Sequence, residues 1–208
     1  MQNLFCQPYF YSSSFTKHKI AIMTRLFLDT EFTGLIQNTT LVSLALYNNE
    51  NCYFYAEFTD FNSNQITPWL IEHVIDKLHF QNYSDYYNEN DNIINIKGVT
   101  TIILEHLKCW LSKFDIIEIW GDVPVYDWML FCELFGGALN LPKNVHYIPF
   151  DIATLAKIIF KKSDFSRIEF VEELLPSINN SFQHNSLFDA MVQKLCYDKF
   201  TLNETRDD

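Results

Sequence analysis

Apolar residues fall in short dense runs over the first third of the chain and at helical spacing over most of the rest. Residues 25–29 read as a buried strand, which Thr33 and Gly34 end. Residues 41–46 and 52–58 read as two further strands. Asn48, Asn49, Glu50 and Asn51 between them are turn residues, so these two strands are expected to pair as a hairpin. Thr67 is a fit N-cap and Pro68 suits a first turn, which predicts a helix to about residue 78. Residues 82–95 are polar and rich in Tyr and Asn, and read as an exposed loop. Residues 98–113 have helical periodicity through Ile102, Ile103, Leu107 and Trp110. A buried strand over 116–120 leads into the turn Gly121-Asp122-Val123-Pro124. The next helix covers about 126–135 and stops at Gly136-Gly137, a strong end signal. Residues 145–149 predict a short strand, and Asp151 caps a helix to about residue 160. A last helix starts at Asn185 or Ser186 and runs to about 202, with a polar tail after it that is expected to fray. Strands first and helix–strand alternation afterwards indicate an α/β sandwich.

Composition narrows this picture. With 208 residues, 48% of them apolar, the chain can bury one full core, and it has no internal repeat or long linker. Residues 1–22 differ from the rest of the chain: they are rich in Ser, Tyr, Phe and Gln and lack a period. They read as a loose extension, or as the product of an upstream start with Met23 as the natural beginning. The other reading is a strand or lid that packs on the domain formed by 23–208. No apolar run is long enough to span a bilayer, and the first residues lack a signal-peptide pattern. The five cysteines are scattered without CxxC spacing, which argues against zinc or a disulfide framework and for a reducing cytoplasm. The net charge of −11 is the wrong sign for gripping long duplex nucleic acid, but it permits a short, end-on grip.

Three segments could carry chemistry. Asp29 and Glu31 are two apart on a strand, so both project from one face at its end. Paired carboxylates repel unless a cation lies between them, and Mg²⁺ or Mn²⁺, hard ions that prefer oxygen, would meet that need. A solvated turn with two acids is the plainer alternative. Asp127 stands in the first turn of its helix, where it either faces a ligand at the strand ends or favours the helix dipole; Asp122 competes with it. His184 precedes the last helix and Asp189 sits a turn into it, either over a shared site or as a surface cap. Lys161, Lys162 and Arg167 form the one local basic cluster, suited to steering phosphates or to a solvated face. Asp151 reads as an N-cap, with a lesser reading in which it fixes the His184 loop.

Taken in order, LFLDTEFTGL, GDVPVYDWMLFCEL and HNSLFDA resemble the three motifs of the DEDDh 3′→5′ exonucleases, over about residues 26–195. The resemblance selects Asp127, which follows an aromatic residue and opens a helix. It puts Asp122 where that family commonly has His, a departure that bears on substrate contacts from this loop. The compact bacterial and phage-type exoribonucleases are the most similar branch. The resemblance implies a ribonuclease H-like three-layer sandwich with a central mixed five-stranded sheet flanked by helices. It also implies two Mg²⁺ or Mn²⁺ ions on Asp29, Glu31, Asp127 and Asp189, with His184 as general base. Phe32, Thr33, Gly34 and Leu35 would meet the terminal nucleotide, although core packing is an equal reading for Phe32. The implied substrate is the 3′ end of single-stranded nucleic acid, RNA favoured, and a homodimer is common among small relatives. Two other readings stand beside it: a phosphodiesterase of very short oligonucleotides, and a non-catalytic nucleic-acid-binding module.

Overall fold

The computed structural model describes residues 21–90, 92–175 and 183–204. The expectations for residues 1–20 and for the end of the tail, 205–208, lie outside the described residues. Seven strands form one mixed sheet in the order β4-β5-β3-β2-β1-β6-β7. β1 (Met23–Phe32) is antiparallel to β2 (Leu41–Asn49) and parallel to β6 (Ile116–Gly121), so it lies inside the sheet, flanked by strands on both sides. β2 and β3 (Cys52–Phe58) form the expected hairpin, and the Asn49 side chain accepts from the Asn51 amide in its turn.

The alternation along β1 divides the two cores. Leu26 and Leu28 point to one face, against α2 (Thr100–Leu111) and α3 (Val125–Leu134) through Leu107, Trp110, Phe131 and Leu134. Phe27 points to the other, against α4 (Ile152–Phe160), α5 (Arg167–Val171) and α6 (Ser186–Glu204) through Ile152, Val171, Val192 and Phe200. Helices therefore cover both faces of the sheet. Period-two burial also sends Asp29 and Glu31 to the Phe27 side, under α6. Among the described residues no helix is long and apolar enough to cross a membrane.

The structure corrects the expected sheet of five strands and the expected loop over 82–95. That stretch contains β4 (Tyr86–Asn90) and leads into β5 (Ile93–Gly98), an antiparallel pair added beyond β3. β4 is an edge strand, exposed along nearly all its length, so it has no apolar alternation to betray it. β5 does alternate, burying Ile94 and Ile96, but the run is short and sits in Asn-rich surroundings. Smaller departures occur elsewhere. The first helix, α1, is brief (Pro68–His73), with a separate 3-10 turn at Ile75–Lys77. The expected strand over 145–149 reduces to a bridge between Val145 and Ile117, and β7 is the adjacent Phe150–Asp151. The α3 terminus agrees with the sequence signal: Gly136 and Gly137 have φ of 77° and 109° and return amides to the helix's last carbonyls.

Candidate active site

Four carboxylates come to one end of the sheet from three elements. β1 carries Asp29 and Glu31. Asp127 lies in the first turn of α3, and its Oδ1 accepts from the Thr30 amide at 2.9 Å and the Thr30 hydroxyl at 2.7 Å. Thr30 points away from its acidic neighbours, so this pair of bonds fastens Asp127 to the strand between them. Asp189 lies in the first turn of α6, and its Oδ2 accepts from the His184 amide at 3.0 Å. Oxygen atoms of Glu31 and Asp189 and a ring nitrogen of His184 lie within 4.8 Å of one another.

Both turns that deliver acids from the helical side hold left-handed residues. Val123, before α3, has φ of 52°, and His184, before α6, has φ of 67°. Positive φ is costly for a β-branched residue and persists only where neighbours enforce it. Asp151 enforces the first: beyond capping α4 through the Ala153 and Thr154 amides, it accepts from the Val123 amide at 2.9 Å. Its N-cap reading holds, and its further role is on the turn leading to Asp127. Gly121 opens that turn. A Cβ there would meet the Pro124 Cβ at 2.6 Å, so the position has to lack a side chain. The turn leading to His184 is held from the far side. Asn185 is buried, donates to the Lys77 carbonyl at 3.0 Å, and accepts from the Phe188 amide.

All four acids are raised above their ordinary pKa, with burial the first cause in each. Burial, then the charges of Asp189, Asp127 and Glu31, raises Asp29 well above its usual value. Burial and the charges of Asp189 and Asp127 push Glu31 up to about 8, and burial lifts Asp189 to about 7. Asp127 is raised by burial, against the pull of its Thr30 bonds. His184 is shifted the other way, by burial first and then by His73 and Lys77, so its imidazole is neutral at pH 7. Crowded, buried carboxylates form a hard-oxygen donor set of the kind that divalent cations would neutralise. The residues present thus fit Mg²⁺ or Mn²⁺.

These shifts make stability depend on pH. The folded acids keep protons that the unfolded chain releases, so the stability present at low pH is lost as pH rises toward 7–8. His184 and His79, both lowered, act oppositely, but only below their ordinary value of 6.5. Between about pH 6.5 and 8 the acids prevail. The melting temperature of chelator-treated protein should fall across that window, and Mg²⁺ should restore more at the upper end; thermal melts at fixed ionic strength check both.

The other expected residues have varied surroundings. Phe32 packs beside the core and stacks on Tyr126, with ring centroids 5.4 Å apart. Thr33 is buried, and its hydroxyl joins those of Thr39 and Thr40 and the Gln65 side chain. Gly34 donates its amide to Thr39 Oγ1 at 3.0 Å. Leu35 is 74% exposed, so of these four it is the side chain free to meet a ligand. Arg167 does not act as a loose basic residue. Its guanidinium pairs with Asp122 at 2.8 Å and donates to the Ser163 and Phe165 carbonyls.

Three neighbours of the site were not singled out from the sequence. Trp69 and His73, a turn apart on α1, stack at 4.6 Å, and the Trp69 ring lies 5.6 Å from that of His184. Gln193 donates from Nε2 to Asp29 Oδ1 at 2.8 Å. Gln193 was within reach of sequence reasoning, since it lies four residues after Asp189 on a helix and so shares its face. Trp69 and His73 carry no such local signal, because α1 reaches His184 only through the tertiary fold.

Comparison with known proteins adds a weak likeness. No family model matches the chain. Over 121 residues it is 26% identical to a protein named 3′-5′ exoribonuclease from Mycobacterium tuberculosis strain CDC 1551, a stretch that is 58% of this chain and 67% of that protein. A protein of the same name from strain H37Rv matches to the same extent, so this chain is similar, at a distance, to two proteins named as exoribonucleases.

Proposed function

We propose that the chain is a divalent-metal-dependent 3′→5′ exonuclease of the DEDDh kind. It would remove nucleoside 5′-monophosphates one at a time from the 3′ end of single-stranded nucleic acid, with RNA favoured. The observation that carries this reading is the convergence of Asp29, Glu31, Asp127 and Asp189, each raised above its ordinary pKa chiefly by burial, beside a His184 whose pKa is lowered. The distant likeness to proteins named 3′-5′ exoribonuclease supports it. So does the mixed seven-stranded sheet with helices on both faces, which is compatible with a ribonuclease H-like fold.

Two Mg²⁺ or Mn²⁺ ions held by the four carboxylates would supply an activated water and neutralise charge on the departing 3′ oxygen. The chain's own groups do the rest. His184, neutral at pH 7, takes up the proton of the attacking water. Thr30 holds Asp127 against β1, and the His184 amide holds Asp189, so the ligand oxygens are set before substrate arrives. Leu35, exposed past the acids, offers an apolar surface to the terminal base without reading its identity.

A second reading, preference for very short oligonucleotides, is favoured by the net charge of −11 and by Arg167, the cleft's arginine, being engaged by Asp122. Comparing turnover of a dinucleotide with that of a strand of roughly twenty nucleotides separates the two, because long strands need a basic track.

The test of the main reading is product analysis on single-stranded RNA and DNA labelled at either end, with Mg²⁺ or Mn²⁺. A 3′ label should appear at once as mononucleotide, and a 5′ label should shorten in single-nucleotide steps. Internal cuts, or early release of the 5′ label, would sink the proposal.

A further inference from the structure

Gln193 is a polar residue where α6 packs into the core. It is 5% exposed and follows Val192, which belongs to that core. One end of its amide is satisfied, by the 2.8 Å bond from Nε2 to Asp29 Oδ1. The other end is not: Oε1 is buried and has no donor among the described residues. The side chain lines the same cleft as Asp29, His184 and Asp189. A buried acceptor left unmet destabilises the fold unless something outside the protein donates to it.

We infer that Gln193 is a positioning residue of the divalent-metal centre. Its Nε2 fixes one oxygen of Asp29 and so presents the other to the cation, while its Oε1 accepts from a water in the cation's hydration shell. This rests on the metal-centre reading above and names a residue that serves it without being a ligand. The chemistry of the side chain fits the task. Lysine or arginine here would neutralise Asp29 and compete with the cation. Glutamate would add another charge to acids that already resist ionising. A neutral amide orients Asp29 and does neither. Groups that orient metal ligands in this way commonly contribute about 10- to 100-fold to metal affinity.

The test is a Mn²⁺ titration of the full chain, monitored through the spin-resonance signal of free Mn²⁺. Gln193→Met keeps the side-chain volume and removes both amide functions. It should weaken Mn²⁺ binding about tenfold. Gln193→Ala, which puts no apolar group beside the acids, gives the same reading should the Met variant fail to fold. Phe200→Leu, in the core of the same helix, is the comparison for simple loss of α6 packing. It should lower the melting temperature and leave Mn²⁺ affinity at the wild-type value. Wild-type affinity in the Gln193 variants would overturn the inference, as would an equal loss in Phe200→Leu. Failure of the metal-centre reading itself looks different: the wild-type chain would bind no Mn²⁺, or Asp29→Asn would bind it unchanged.

Discussion

Asp29→Asn should lose Mg²⁺-dependent mononucleotide release by roughly 10³-fold or more, and yet melt at a higher temperature than wild type in chelator. The loss arises from the metal reading. Removing a ligand charge forfeits several kcal/mol of charge stabilisation, and each ~1.4 kcal/mol is a factor of ten in rate. The gain in stability has the opposite origin. Asp29 is the residue on which burial and the charges of Asp189, Asp127 and Glu31 all act against ionisation. Asparagine keeps an oxygen to accept from Gln193 Nε2 and removes the charge. Stability gained by neutralising an acid cluster, together with lost turnover, is the signature of a site built for cations. Single-turnover kinetics and thermal melts in EDTA measure the two halves. Unchanged hydrolysis would refute the chemistry assigned to Asp29.

Replacing His184 should lower kcat by about 10²- to 10⁴-fold, the range for a lost general base, with KM and Mn²⁺ affinity little altered. The ring is neutral at pH 7 and close to Glu31 and Asp189, the arrangement a base needs. The same 4.8 Å spacing would also let the ring act as a ligand. Metal binding distinguishes the roles: a fall in Mn²⁺ affinity comparable to that of Asp29→Asn would make His184 a ligand. Backbone geometry dictates the choice of variant. His184 sits at φ 67°, and its amide donates to Asp189. Asparagine tolerates that left-handed conformation better than alanine does, so His184→Asn removes the base with less disturbance to Asp189.

Several elements were legible because their signal is local. Leu26, Phe27 and Leu28 mark a strand buried on both faces, and they are fully buried in the two cores. The Asn-rich turn predicts the β2–β3 hairpin, Gly136-Gly137 the end of α3, and Asp151 the start of α4. Each of these rests on chemistry within a few residues of itself. β4 was not legible, because an edge strand solvated on both faces carries no alternation. β7 is two residues long and exists only because β6 is beside it.

The candidate site divides in the same way. The sequence by itself determined which residue types stand at which spacing: the Asp-x-Glu pair on a strand, the acid opening α3, and the His and Asp around the start of α6. It could not decide that they meet. Tertiary structure decided that Thr30 binds Asp127 across 97 positions, that Gln193 reaches Asp29 across 164, and that Arg167 is taken up by Asp122 across 45. It also decided the ionisation of the acids, which comes from burial and from mutual repulsion that no single segment contains. The physical reason is one of range. Periodicity and capping act over a few residues along the chain, whereas charge, burial and hydrogen bonding act through space, and only the order of the strands brings distant positions together.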